Sequence, residues 1–175
     1  MKKYELILDQ SIDVGVRLYR IRAIESFGNV CAGKIGGYVQ SESSLSHDGN
    51  AWVYGNAQVS GDARVYGNAQ VSGDARVYGN AWVYGDARVY GNAQVSGDAR
   101  VSSTDDYLTL GPLGSRSATL TAFRCESGWM VSTGCFLGSP EEFMARVIET
   151  HGDNKHARLY RAAVEMAAYK FGETP

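Results

Sequence analysis

Proline is scarce in this chain, with three residues in 175, against 21 glycines. Cysteine is scarce too: Cys31, Cys125 and Cys135 are odd in number, widely spaced and form no CxxC. That spacing argues against a disulfide framework and suits a reducing, cytoplasmic compartment. Charge of one sign is also missing, since 17 lysines and arginines nearly balance 19 aspartates and glutamates. A basic footprint for a nucleic-acid polymer is therefore absent. No apolar run approaches the length of a membrane span. Glu5 and Asp9 interrupt the stretch after Met1, Lys2 and Lys3 that a signal peptide would need.

What the chain has instead is a period. From Asn50 to Val101, nine consecutive hexads read Asn or Asp, Ala, a variable residue, Val, Tyr or Ser, Gly. A repeat this strict predicts a solenoid. Ala and Val lie two apart and share one side of an extended segment, while the residue between them points the opposite way. Gly followed by Asn or Asp supplies a tight corner. Each hexad is thus a short strand plus a corner, with Ala and Val inward. Charges cancel along it, with Arg64, Arg76, Arg88 and Arg100 set against Asp62, Asp74, Asp86 and Asp98.

This pattern resembles the left-handed parallel β-helix of hexapeptide-repeat proteins. The resemblance implies three hexads per triangular coil and an inner column of valines from Val53 to Val101 in steps of six. Alanines from Ala51 to Ala99 fill the narrower places. Each buried valine contributes roughly 1.5 to 3 kcal/mol before entropy is counted. Residues eighteen apart then stack on one face. One face lines up Arg64, Trp82 and Arg100 beside Tyr66 and Tyr84, whereas the others read Trp52, Gln70, Arg88 and Gln58, Arg76, Gln94. The first column is either a solvated ladder or an oligomer contact, and relatives of this fold are commonly trimers. Ile35, Val39 and Leu45 continue the inward pattern upstream. Ser46, His47 and Asp48 then bulge at a corner where catalytic histidines sit in hexapeptide acyltransferases. His47 is accordingly either a polar corner residue or a base.

The flanks read as caps for the solenoid ends. The expected divisions are 1–29 (β cap), 30–103 (β-helix) and 104–175 (α+β unit). Residues 4–8 and 16–24 suggest a hairpin with Gly15 in its turn. In the tail, β-type runs at 118–124 and 129–136 predict a second hairpin, followed by two helices. Ser139, Pro140 and Glu142 make a capping box for the first helix. Tyr160, Val164, Ala167 and Phe171 form the apolar stripe of the second. The fold class is mainly β.

Candidate chemistry concentrates in the segment Gly111, Pro112, Leu113, Gly114, Ser115, Arg116. Two glycines allow amides to converge, and Arg116 offers a fork to phosphate or carboxylate. Ser117, Thr119 and Thr121 could line the same surface. A plain turn explains the segment as well. The candidate ligand residues are Gly111, Gly114, Ser115, Arg116 and Thr119. His151, Asp153 and His156 fit helix ends rather than a metal site, and no cofactor is implied.

Beyond the fold, Leu18–Ile24, Phe27–Val30, Ile35–Val39 and Ser44–Gly55 resemble bacteriophage and prophage hexapeptide-repeat proteins. The tail segments Leu108–Arg116, Gly134–Phe136 and Thr150–His156 resemble a module attached to them. The expectation is a non-enzymatic phage accessory protein, cytoplasmic in the bacterial host and homotrimeric. Its C-terminal module would bind a nucleotide-like small molecule or a host protein, and so act against host defence. Acyl transfer by His47 and a structural virion role are the alternatives.

Overall fold

A computed structural model describes residues 2–173. It contains a β-solenoid of about four turns, followed by a C-terminal part with a small antiparallel sheet and two helices. The hexad strands are β4 (Trp52–Val53), β5 (Gln58–Val59), β6 (Arg64–Val65), β7 (Gln70–Val71), β8 (Arg76–Val77), β9 (Trp82–Val83), β10 (Arg88–Val89), β11 (Gln94–Val95) and β12 (Arg100–Val101). They pair in parallel at a register of eighteen, giving three faces: β4-β7-β10, β5-β8-β11 and β6-β9-β12. Every hexad alanine and valine is buried in one continuous core. The alternation that places them inside is the period of the strand itself.

The corners are glycines of positive φ, from Gly55 to Gly97 in steps of six. Beside them run side-chain ladders. The Asn50 amide donates to Asn68 at 3.0 Å, and Asn68 donates to Asp86 at 3.0 Å. The backbone bonds at these corners share one polarity. Amides of one coil donate to carbonyls of the next, as in Asn68 N to Gly85 O and Asn80 N to Gly97 O, each 2.9 Å. The first coil therefore leaves carbonyls open and the last coil leaves amides open.

At the N-terminal end, β1 (Tyr4–Asp13) and β2 (Arg17–Ala23) form the expected hairpin. The pair extends one solenoid face rather than lying across the end. β2 pairs antiparallel with β3 (Ile35–Val39), which pairs in parallel with β5. Trp52, expected on an outer face, does point out of the prism but is fully buried. Phe27 packs edge-on against it at 5.5 Å. Gly36 approaches so closely that an added Cβ would stand 2.7 Å from the indole.

The C-terminal sheet has four strands, in place of the expected hairpin: β13 (Tyr107–Leu113), β14 (Ala118–Cys125), β15 (Gly128–Thr133) and β16 (Phe136–Gly138), in that order. β13 takes up Gly111, Pro112 and Leu113, so only residues 114–117 form the turn. Alternation along β14 splits the sheet between two cores. Phe123 and Tyr107 pack into the solenoid core, while Leu120, Ala122 and Val131 pack beneath the helices. Helix α1 (Pro140–His151) begins with the expected capping box, Ser139 Oγ accepting from Glu142 N at 3.2 Å. Helix α2 (Lys155–Phe171) is capped by Asn154 and buries Tyr160, Ala167 and Phe171 as its stripe predicted.

Candidate functional site

The C-terminal unit encloses a cleft of about 570 Å³. Ser115 and Arg116 enter it from the β13–β14 turn, Thr133 to Leu137 from the β15–β16 turn, and α1 forms the opposite wall. Helical spacing puts Glu142, Arg146 and Thr150 in one row on that wall, with Phe143, Val147 and His151 in the next. The floor is aromatic: the Phe136 and Phe143 ring centres lie 5.2 Å apart, and Tyr160 meets Phe143 edge-on at 5.3 Å.

Gly114 (φ +69°) seats the turn directly on Tyr160, and an added Cβ would collide with the phenol. Among the described residues, neither Arg116 nor Arg146 has a hydrogen-bonded or ion-paired side-chain partner. The one carboxylate in the lining, Glu142, accepts from Ser139 N at 2.9 Å to cap its own helix. Two permanently charged guanidiniums thus face a cleft whose acid is committed elsewhere.

Of the sequence candidates, Ser115 and Arg116 line the cleft and Gly114 shapes it. Gly111 lies against Thr119 in the β13–β14 pair, behind the lining. The Thr119 carbonyl accepts from Thr133 Oγ1 at 3.0 Å. Thr121 faces the solenoid instead, fully buried, and accepts from Gln94 N at 3.1 Å. Arg146 and Thr150 escaped the sequence analysis. Their only signal is the fourfold spacing from Glu142, which is shared by many exposed helix faces.

On the solenoid, strand register aligns Arg64, Trp82 and Arg100 as anticipated. The Arg100 guanidinium sits 4.5 Å over the indole and bonds Glu126 at 2.9 Å. Tyr66 and Tyr84 stack at 5.1 Å, and burial raises the Tyr66 phenol above its ordinary pKa. Trp82 remains 39% exposed. A groove of about 610 Å³ separates this face from the overhanging residues 42–48.

His47 borders that groove but is held within the cap. It stacks on Tyr4 at 4.4 Å, and its Nδ1 accepts from Lys3 N at 3.4 Å. That bond puts the proton of the neutral ring on Nε2, which is buried and 4.0 Å from Glu42. Burial is the main cause that lowers the His47 pKa. A neutral imidazole in this tautomer has no free lone pair for proton abstraction.

Lys3, which drew no notice in the sequence, is 1% exposed. Its ammonium donates to the carbonyls of Gly49 and Ala51 at 3.1 Å each and lies 4.5 Å over the Phe27 ring. Burial depresses its pKa to about 8.

The remaining candidates are structural. Asp153 pairs with Arg158 at 3.5 Å, and His151 and His156 sit 5.7 Å apart at adjoining helix ends. No group of three metal-binding side chains occurs among the described residues. All three cysteines are free thiols. No helix there is long and apolar enough to cross a membrane.

Stacked hexads with a buried valine column define a β-solenoid. A family model described as the YdcK beta solenoid repeat matches residues 57–69, 69–85 and 83–95, all within the regular coils. No curated protein matches the chain.

Proposed function

We propose that this is a non-enzymatic accessory protein of a bacteriophage, working in the cytoplasm of the bacterial host. Its solenoid is the rigid stalk of a homotrimer, in contact through the Arg64, Trp82, Arg100, Tyr66 and Tyr84 face. The stalk holds C-terminal units that bind a small anionic, nucleotide-like ligand or a host protein presenting such a group, and thereby act against host defence.

The observation carrying this reading is the pair of uncommitted guanidiniums, Arg116 and Arg146, on the rim of an aromatic-floored cleft. Guanidinium forks recognise phosphate in two-point contacts, and Phe136, Phe143 and Tyr160 offer apolar surface to a planar ring. Ser115 and Thr150 add hydroxyls at the rim.

Calorimetric titration with a nucleotide panel tests it. Arg116→Ala and Arg146→Ala are each expected to weaken binding by about 10- to 100-fold, the loss typical of a charge-assisted bond. Absence of heat across the panel, together with Arg116→Ala phage behaving as wild type on a defended host, would sink the ligand reading. The acyltransferase alternative has little to support it, because His47 presents a donor rather than a base.

A further inference from the structure

The turn that carries Arg116 brings more to the cleft than a side chain. Leu113 pairs with Ala118 to close the β13–β14 hairpin, and residues 114–117 between them begin and end in the left-handed region, Gly114 at φ +69° and Ser117 at φ +49°. Glycine takes that conformation freely, but a serine is held there against its preference. Such a residue persists where its surroundings over-determine it, and it directs attention to the backbone it imposes. Tyr160 supplies the constraint. No Cβ fits between Gly114 and the phenol, and the ring is itself buried and packed edge-on to Phe143.

The turn therefore presents free donors. Among the described residues, the amides of Ser115 and Arg116 have no acceptor, and that of Ser117 reaches only Gly114 O at 3.5 Å. Turns of this kind gather successive N–H groups into a concavity for an anion. The same two residues line the cleft, with Arg146 on the opposite wall.

We infer that this turn seats a terminal phosphomonoester, and that the ligand of the cleft is a nucleoside monophosphate rather than a cyclic or bridging phosphodiester; this rests on the ligand reading above and narrows it. Donor number makes the choice. Two guanidinium forks and two amides exceed what the two free oxygens of a diester accept in good geometry, whereas the three terminal oxygens of a monoester take them in pairs. Net charge does not decide, because the Glu142 carboxylate offsets one of the two arginines. Tyr160 also fixes the seat relative to the floor, meeting the turn at Gly114 and the floor at Phe143. A phosphate and a planar ring joined through one ribose suit that arrangement, and the cleft of about 570 Å³ is of the size that encloses a small ligand.

Calorimetry and amide NMR on the full chain test the assignment. The probes are the common nucleoside 5′-monophosphates, their 3′,5′-cyclic counterparts and ribose 5-phosphate. The best-bound monophosphate should exceed both its cyclic counterpart and ribose 5-phosphate by about 10-fold or more, the loss expected when charge-assisted bonds or ring contact are removed. It should also shift the Ser115 and Arg116 amide resonances. Ser117→Gly keeps the left-handed backbone and should bind within about 3-fold of wild type, while Ser117→Pro, whose ring fixes φ near −65°, should lose at least ~10-fold with its melting transition retained. A cyclic counterpart or ribose 5-phosphate bound as tightly as the monophosphate overturns the phosphomonoester seat and leaves the cleft reading standing. So do Ser115 and Arg116 amides unmoved by a bound monophosphate, or Ser117→Pro binding as wild type. Absence of heat with every probe overturns the seat as well, and the ligand reading with it where Arg116→Ala phage also behave as wild type.

Discussion

The two ends of the solenoid meet opposite demands at their corners, and most of the groups that meet them differ accordingly: donors at the N-terminal end, and acceptors for the open amides at the C-terminal end. At the N-terminal end the corner carbonyls are open, and the closing groups are donors. Lys3 donates to Gly49 and Ala51, Tyr4 Oη to the carbonyls of Glu42 and Leu45 at 2.8 and 2.9 Å, and Arg20 to Gly36 and Gly55 at 2.8 and 3.1 Å. At the C-terminal end the amides are open and are met by acceptors, while Tyr107 Oη of the capping sheet also donates to the Arg88 carbonyl at 2.9 Å. Thr121 Oγ1 takes Gln94 N, and the Asp106 carboxylate takes the amides of Ser102 and Ser103 at 2.8 and 2.9 Å. Burial of an unmet backbone group is expensive, so a solenoid's caps are dictated by the direction of its hydrogen bonds as much as by apolar cover.

The comparison can be broken from the middle outward. Val71→Asp places a charge in the shared core and should abolish the cooperative melting transition altogether, read by circular dichroism. Lys3→Met keeps much of the apolar stem but strips the donors from buried carbonyls. A loss of about 2 to 4 kcal/mol is expected in chemical denaturation, with faster hydrogen exchange confined to residues 42–53. Thr121→Val removes a single acceptor and should cost about 1 kcal/mol, with exchange rising at the Gln94 amide rather than at the N-terminal end. Equal exchange at both ends in either variant would erase the donor and acceptor division.

A pH dependence sharpens the comparison at the N-terminal end. Between pH about 8 and 10.5 the unfolded chain keeps the Lys3 proton that the folded chain has lost, so stability should rise with pH across that window. Burial pushes the Tyr4 phenol well up and the Tyr107 phenol up to about 12. Above pH 10 the unfolded chain loses tyrosine protons that the folded chain retains, and stability should fall. In Lys3→Met the rise should vanish while the fall persists.

The repeat was legible because its information is local: two inward residues and a corner recur within six positions. The caps were legible only as strands. Trp52 looks like an outer residue because its neighbours in the hexad put it there, and the cover from Phe27 and Gly36 comes from a segment outside the period. Lys3 sits beside Lys2 in sequence, and only the closing of the first coil distinguishes a plug from a solvated charge. In the tail, Gly111 and Pro112 interrupt the β signal of 107–113, so one strand of the sheet read as loop. The cleft was half visible. Ser115 and Arg116 stand in one recognisable turn, but Arg146 joins them through packing of α1 against that turn, about thirty residues away in the chain.

The register of eighteen also makes the stalk a vernier. Because every hexad offers the same corner and the same inner pair, inserting eighteen residues would move the arginine cleft about 4.8 Å along the axis without changing its bearing. Inserting six would swing it by a third of a revolution instead. Length and heading are thus separately adjustable by copying one short word of sequence, with both caps still meeting the chemistry they fit.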